Sequence, residues 1–460
     1  MTAAKNDTEA VRELFGTDGI RGRANEEPMT PETILRLGRA AGHYFLTSKH
    51  RRHRVVIGKD TRLSGYMFET ALSAGLCSVG VDVLLVGPMP TPGIALLART
   101  LRADAGIAIS ASHNPYQDNG IKFFGPDGFK LPDSAEARIE TLVLGDEIDH
   151  LRSTGEGIGK AFRIDDADGR YNAYLKNVIP RDMDFEGLRL VVDCAHGAAH
   201  RIAPAVLEEL GAEVIAIGIE PNGTNINDGV GALHVDNVAA EVKRIGADAG
   251  IALDGDADRV ILVDENGDEV DGDHVLAILA LAMKEAGDVP GNAIVGTIMS
   301  NFGLEVLLRE HDLELIRTPV GDRYVVERMR RDGYVLGGEK SGHVVSLEHG
   351  TTGDGMVTAL RVLSVVKESG KKLSELRSVM KSYPQVLTSL PVREKPDLNT
   401  ITAVSSAIAS AEAALGDNGR VVVRYSGTEP VARVMVEGTD ADAVDHHAHA
   451  ITEAIRAALG

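Results

Sequence analysis

GIAISASHNPYQDNGIKFF, residues 106–124, decides how the chain is read. Ile107-Ala108-Ile109 has the look of a buried strand. It stops at Ser110-Ala111-Ser112-His113-Asn114-Pro115, a cluster of turn-formers. The end of the strand therefore presents hydroxyls and an imidazole on a loop. In open α/β sheets, ligands bind just beyond the carboxyl ends of strands. Lys122 follows on a second short segment, after the turn-forming Asp118-Asn119-Gly120. A hydroxyl flanked by His113 and Lys122 can carry a phosphoryl group or act as a nucleophile. Taken singly, the stretch is equally well explained as a polar turn with a capping serine.

The rhythm around this stretch recurs. Arg54–Asp60, a helix near Tyr66–Ser78, Val81–Val86 and Ala105–Ile109 form the first copy. Leu188–Asp193, a helix near Ala203–Leu210, Glu213–Ile219 and Ala249–Leu253 form the second. Ala293–Ile298, a helix near Leu304–His311, Glu314–Thr318 and Tyr334–Leu336 form the third. Each reads strand, helix, strand, connection, strand, and each last strand runs into a polar motif. Strands alternating with helices predict α/β layers. Three such units, each ending in chemistry, predict three related mixed-sheet domains facing a shared cleft. The tail differs: strand, helix, strand, turn, strand and helix after Thr388 predict a smaller α+β C-terminal domain. The expected divisions are residues 1–158, 159–258, 259–372 and 373–460, with a linker near Glu368–Ser374.

Composition narrows the function. A chain of 460 residues is too long for one core. A net charge of −20 and the absence of tryptophan argue against a nucleic-acid partner. Two cysteines, Cys77 and Cys194, suit a reduced cytoplasm. Met1–Glu13 lacks the apolar core of a signal peptide, and Leu276–Met283 is too short to span a bilayer.

Asp254, Asp256 and Asp258 are separated only by Gly255 and Ala257. Small spacers let three carboxylates converge, and such a set needs a cation among them, best a hard one such as magnesium. A calcium loop of EF-hand type has Glu265 at its twelfth position but Arg259 where glycine is required, and is rejected. Arg424, Ser426, Gly427 and Thr428, with Arg433 reaching back from the next strand, suit a phosphate. Gly338–His343 offers Glu339 and Ser341 to sugar hydroxyls and His343 as acid or base, though an ordinary loop fits equally well. Phe15–Gly22 carries Arg21 but no nucleotide-binding glycine pattern. Asp445–His449 tempts a zinc reading, but a helix puts no more than two of its imidazoles on one face.

FGTDGIRG, ISASHNPYQDNGIKFF, DGDADR, GEKSGH and RYSGTEP together resemble the α-D-phosphohexomutase superfamily over the whole chain. The resemblance implies four domains around a central cleft. It implies that Ser112 holds the transferable phosphoryl group. It also implies that Asp254, Asp256 and Asp258 bind magnesium with a phosphoserine oxygen from Ser112. Arg21, His113, Lys122 and Arg259 match positions around the phosphoserine. Glu339 and Ser341 match sugar contacts, and His343 a position near the reacting hydroxyl. Arg424, Ser426, Gly427, Thr428 and Arg433 match the site of the phosphate that is not transferred.

The activity implied is the interconversion of glucosamine 6-phosphate and glucosamine 1-phosphate, feeding UDP-N-acetylglucosamine and cell-wall precursor synthesis. A glucosamine or glucose 1,6-bisphosphate is the implied intermediate and activator. The partner expected is a small sugar phosphate, with no nucleic acid and no membrane; a homodimer is allowed. The alternatives are glucose or mannose phosphates as substrates, a metal-dependent phosphatase, and a sugar-phosphate sensor. Lys340 stands where glutamine is frequent and Tyr425 where proline is frequent. The first bears on sugar preference, and Lys340 is expected to point away from the cleft. The base that takes the sugar proton, His343 or Lys122, stays open.

Overall fold

One topology occurs three times in the computed structural model, which describes residues 13–16, 18–46, 52–426 and 430–460. In the first unit, Arg54–Lys59 lies between Asp82–Pro88 and Ala105–Ile109, parallel to both. Asp118–Phe124 then returns antiparallel to Ala105–Ile109, with Lys122 opposite Ala108. In the second, Arg189–Asp193 lies between Glu213–Ile217 and Ala249–Leu253, and Val260–Asp264 returns antiparallel. In the third, Ala293–Thr297 lies between Glu314–Thr318 and Leu336–Gly338, and Val344–Ser346 returns antiparallel.

The unspecified connection in each copy is a helix: Thr91–Thr100, Asp236–Ile245 and Asp322–Asp332. The last two are amphipathic helices closed by left-handed glycines, Gly246 at φ 67° and Gly333 at φ 78°. Every unit is therefore a parallel βαβαβ core with an antiparallel return. The crossover helices cover the sheet faces, so the central strands are buried on both sides and nearly all apolar.

Sheet pairing carries each unit past the motif that marked its end in the sequence. Ala161–Arg163 adds an edge strand to the first sheet. Val260–Asp264 and Glu269–Val270 complete the second sheet beyond Asp258. The polar motifs thus occupy turns between a parallel strand and its antiparallel return, so they lie inside the sheets' hairpins.

One apolar core runs through the three units, joining Met89, Leu175, Leu253, Leu276, Leu304 and Met356. Glu368–Ser374 is not a loose tether. Leu373 and Leu376 are buried in that core, and Ser374 Oγ donates to Glu265 Oε1 at 2.6 Å. The C-terminal unit has a core of its own, around Leu390, Val434 and Ile451. Its sheet orders Gln385–Pro391, Val431–Gly438 and Gly419–Tyr425, all antiparallel, beneath Thr402–Leu415 and Ala441–Leu459. It meets the third unit through polar contacts: Arg420 Nη2 donates to Ile298 O at 2.8 Å, and buried Glu437 accepts from Phe302 N at 3.3 Å. No helix among the described residues is long and apolar enough to cross a membrane.

Candidate active site

Ser112 sits in the first of these turns with φ 53°, a left-handed conformation that costs a serine energy unless its surroundings impose it. They do. Ser110 Oγ accepts the Ser112 N–H at 2.9 Å and donates to Asp60 Oδ2 at 2.6 Å. Arg62, fully buried, pairs with Asp60 at 2.8 Å and donates to the carbonyls of Ser112 at 2.9 Å, Asn114 at 2.8 Å and Asp118 at 3.1 Å, and to that of Pro115. Asn227 of the second unit donates to Ser112 O and Asn114 O at 2.9 and 3.0 Å. The loop is held from outside by one guanidinium and one amide, and Ser112 Oγ is left facing the second unit.

It faces the aspartates. Ser112 Oγ donates to Asp254 Oδ2 at 2.5 Å. One ligand oxygen from each of Asp254, Asp256 and Asp258 falls within 4.8 Å of the others, and all three side chains are buried. Burial, then repulsion from Asp258 and Asp256, pushes the Asp254 carboxyl well above its ordinary range. Asp256 Oδ1 is buried and accepts no hydrogen bond. Asp258 Oδ1 is orphaned likewise, and three converging carboxylates with two such oxygens fit a divalent cation of the magnesium type.

Their loop is clamped on two sides. Thr91 of the first unit bonds Asp256 Oδ2 through Oγ1 at 2.6 Å and Asp256 O through N at 2.9 Å. Gly355 N, opening a helix of the third unit, donates to Ala257 O at 3.0 Å. The turn Asp254–Ala257 and its counterpart Glu339–Gly342 close with the same bond, fourth N–H to first C=O at 3.0 Å. Both end left-handed, Ala257 at φ 55° and Gly342 at φ 87°. A Cβ at Gly342 would stand 2.2 Å from Val260 O, so glycine is required there.

Lys122 reaches the same carboxylates, at 2.9 Å from Asp256 Oδ2, 3.0 Å from Asp258 Oδ2 and 3.3 Å from Asp18 Oδ2. Burial opposes its charge, but Asp18, Asp256 and Asp258 hold its pKa well above the ordinary lysine value. Arg21 pairs with Asp18. Arg259 donates its backbone N–H to Asp254 Oδ1 at 3.1 Å and carries Nε 3.8 Å from Asp258 Oδ1. His113 Nδ1 lies 3.4 Å from Ser112 Oγ. Burial, then the charges of Arg259 and Arg21, push the His113 imidazole down to about 4, so it is neutral at pH 7.

A cleft of about 540 Å³ opens over this floor, lined by Phe15, Arg21, Asp258, Arg259, Glu339 and His343 among others. Glu339 Oε1 accepts from Gly321 N at 2.9 Å, which orients the carboxylate. His343 Nδ1 stands 3.6 Å from Asp258 Oδ1, and Nε2 accepts from Gly353 N at 3.1 Å. Burial disfavours the imidazolium, yet Asp258 and Asp322 raise the His343 pKa above its ordinary value.

Lys340 and Ser341 of the GEKSGH loop are not among the residues that line the cleft. Ser341 is exposed at the loop's tip. Lys340 is near Glu269, Asp271 and Asp273, whose carboxyl pKa values its charge helps to lower.

Arg424 and Arg433 oppose each other across the C-terminal hairpin and line a smaller cavity with Val320, Val422 and Met435. Burial, then the neighbouring Arg433, lowers the Arg424 pKa, a strain that an anion between them relieves. Ser426 is buried, its N–H donating to Val431 O at 2.9 Å and its carbonyl accepting from Lys395 Nζ at 2.7 Å. Gly427 and Thr428 lie outside the described residues. Val320 lines both cavities, which places the paired arginines next to the active cleft.

Asp18, Asp60, Arg62, Thr91 and Asn227 were not singled out in the sequence. For Asp18 and Arg62 a signal existed: a lone acid in a Gly-rich loop, and a charged Asp60-Thr61-Arg62 at the end of an apolar strand. Thr91 and Asn227 act across unit boundaries and carry none.

Profiles of four domains match along the chain, each described as phosphoglucomutase/phosphomannomutase. Domains I, II and III, alpha/beta/alpha, match residues 12–148, 170–267 and 271–383. The C-terminal domain matches residues 366–454. The phosphoglucosamine mutase of Syntrophotalea carbinolica is 57% identical over 449 residues, 98% of each chain. That of Geotalea daltonii is 56% identical over 450 residues, covering 98% of this chain and 99% of the relative. A phosphoglucomutase/phosphomannomutase family protein from Burkholderia thailandensis shares the fold with a TM-score of 0.79 at 24% identity, covering 96% of this chain and 97% of the other. The N-acetylphosphoglucosamine mutase of Aspergillus fumigatus, solved with GlcNAc-6P and magnesium, shares it with a TM-score of 0.67 at 18% identity, covering 97% and 96%.

Proposed function

The chain belongs to the phosphoglucomutase/phosphomannomutase family, and from that premise we propose that it interconverts glucosamine 6-phosphate and glucosamine 1-phosphate. It is an isomerase that moves a phosphoryl group within one sugar. Near-full-length identity to phosphoglucosamine mutases supports the substrate. One contact carries the chemistry: Ser112 Oγ, 2.5 Å from Asp254, puts a serine hydroxyl at the edge of a three-carboxylate cation site.

Ser112 carries the phosphoryl group between turnovers. The P–O bond to Ser112 breaks as one forms to O1 of glucosamine 6-phosphate. The O1 proton passes to a base, and a 1,6-bisphosphate results. The bisphosphate turns in the cleft, its 6-phosphoryl returns to Ser112, and O6 regains a proton. Free 1,6-bisphosphate phosphorylates Ser112 by the second half of this cycle, which makes it an activator. Arg21, Lys122 and Arg259 neutralise charge on the moving phosphoryl oxygens. Magnesium, held by Asp254, Asp256, Asp258 and a phosphoserine oxygen, would supply Lewis-acid neutralisation of the same oxygens.

Arg424 and Arg433, with Ser426, Gly427 and Thr428, grip the phosphate that is not in transfer. Glu339 faces the sugar, where its carboxylate accepts from the 2-ammonium or a neighbouring hydroxyl. Lys340, near Glu269, Asp271 and Asp273, leaves that cation unopposed. The proton acceptor is a choice between Lys122 and His343. The raised Lys122 pKa favours a charge-neutralising part for it.

The test compares kcat/KM for glucosamine, glucose and mannose 6-phosphates on one preparation. The highest value is expected for glucosamine 6-phosphate. A higher value for either neutral sugar refutes the substrate assignment and makes Lys340 the first residue to exchange.

A further inference from the structure

Lys122 and His343 belong to one closed circuit of close contacts between lysine, aspartate and histidine side chains, completed by two residues that no motif contains. Lys122 Nζ is 3.3 Å from Asp18 Oδ2, and Asp18 Oδ1 accepts from Lys130 Nζ. Lys130 Nζ also donates to Asp322 Oδ2, which lies 3.4 Å from His343 Nε2. His343 Nδ1 is 3.6 Å from Asp258 Oδ1, and Asp258 Oδ2 accepts from Lys122 at 3.0 Å. Asp18, Lys122 and Lys130 come from the first unit, Asp258 from the second, Asp322 and His343 from the third.

The local chain explains why both new members are rigid. After Asp118–Phe124, which carries Lys122, the chain turns tightly, with Gly125 N donating to Phe129 O at 2.8 Å. It returns to bridge Phe124 with Lys130. The two ammonium groups therefore flank Asp18. Asp322 opens the helix Asp322–Asp332, directly after Gly321, whose N–H holds Glu339. The next residue, Arg323, is buried against Glu136 at 2.8 Å and pairs with Asp133 of the first unit. Thr351 Oγ1 donates to Gly128 O at 2.6 Å behind the same turn. The side chains of Lys130 and Asp322 are only 13% and 12% exposed.

The pair is also a wall. A second cavity of about 450 Å³ lies between the first and third units, lined by Lys130 and Asp322 together with Phe129, Val326 and Arg330. Asp322 lines the active cleft as well. Asp322 therefore stands between the two spaces, with Lys130 against it on the side of the second cavity.

We propose that Lys130 and Asp322 are positioning residues for the phosphoryl transfer. Their ion pair, spanning the first and third units, sets the spacing of Lys122 from His343 and closes the cleft against the second cavity. The proposal rests on the mutase reading above. Misplacement of reacting groups by even an ångström costs on the order of a hundredfold in rate.

The experiment measures kcat and KM for glucosamine 6-phosphate in Lys130→Met, Asp322→Asn, Lys130→Arg and the double variant Lys130→Met/Asp322→Asn, with folding followed by circular dichroism. Lys130→Met and Asp322→Asn should lose roughly 10- to 100-fold in kcat with KM within about threefold of the parent. Lys130→Arg, which keeps the charge, should recover most of the rate. The double variant should be no worse than the worse single one, because both remove one interaction.

If Lys130→Met does not fold, Asp322→Asn and Lys130→Arg decide the matter. A rise in KM at constant kcat overturns the proposal, since it makes the pair a direct substrate contact. So do additive losses, and so does an unchanged rate in the variants. A parent enzyme inactive on every hexose phosphate refutes the mutase reading itself. An active parent with unaffected variants refutes only the positioning role.

Discussion

Replacing Arg62 by methionine removes five side-chain hydrogen bonds and leaves Asp60 charged, buried and without its cation. Both side chains of the pair are inaccessible to solvent. Removing one member of a buried ion pair costs about 3–5 kcal/mol. Burial already pushes the Asp60 carboxyl up against the opposing pull of Arg62 and Ser110. The unfolding free energy should therefore fall by about 3–5 kcal/mol.

A second variant separates charge from packing. Asp60→Asn/Arg62→Met removes both charges and should regain at least about half of the lost stability, because a neutral pair of similar volume leaves no isolated ion. Mutase turnover should stay depressed by roughly 10- to 100-fold in both variants, since the carbonyls of Ser112 and Asn114 have lost their guanidinium and the serine is no longer held in register. Urea denaturation and a coupled mutase assay read the two quantities. A single variant within about 1 kcal/mol of the parent would falsify the premise that this pair is sealed from water. A double variant as unstable as the single one would trace the loss to shape instead of charge.

Ser112→Ala should remain folded and lose nearly all turnover, and phosphopeptide mapping of the parent should place the phosphoryl group on Ser112; a stable phosphoryl group on Ser110 would sink the assignment. Asp256→Asn should weaken magnesium binding, read by calorimetry, because it takes one charge from three converging carboxylates; an unchanged affinity would remove Asp256 from the site. Arg424→Ala and Arg433→Ala should each raise KM about ten- to a hundredfold, the equivalent of roughly 1.5–3 kcal/mol for a charge-assisted bond, and a KM within twofold would show that the phosphate rests elsewhere. Asp273 is buried, and burial followed by repulsion from Asp271 raises its carboxyl to about 7. A raised carboxyl favours the folded state while protonated, so its contribution is complete below the ordinary carboxylate pKa and is lost as pH rises through about 7. Urea midpoints of Asp273→Asn should decline less than those of the parent between pH 5 and 8; parallel curves would exclude Asp273 as the source.

The three-unit rhythm was legible because strand and helix periods are local. Apolar runs such as Ala249–Leu253 and Ala293–Thr297 read as buried strands, and they are. The crossover helices were harder. Thr91–Thr100 begins at Thr91-Pro92-Gly93, which reads as a turn, whereas in the fold Pro92 occupies the first helical turn, where its missing N–H costs nothing. Unit ends are hard to read from the sequence for another reason. An antiparallel return such as Val260–Asp264 belongs to the sheet that comes before it, and no local signal says which sheet a strand will join.

The sequence by itself determined the kinds of chemistry present: a hydroxyl after a strand, three carboxylates with small spacers, arginines around a hairpin turn. Those depend on residue type and near spacing, which are written in the chain. Tertiary structure alone decided which groups meet. Ser112 touches Asp254 across 142 positions, Thr91 holds Asp256 across 165, and Lys130 reaches Asp322 across 192. Such contacts arise because three sheets packed on one core present equivalent turns to one cleft. The charge at each turn is tolerable only when its partner from another unit is in place, and no property of either segment alone encodes that condition.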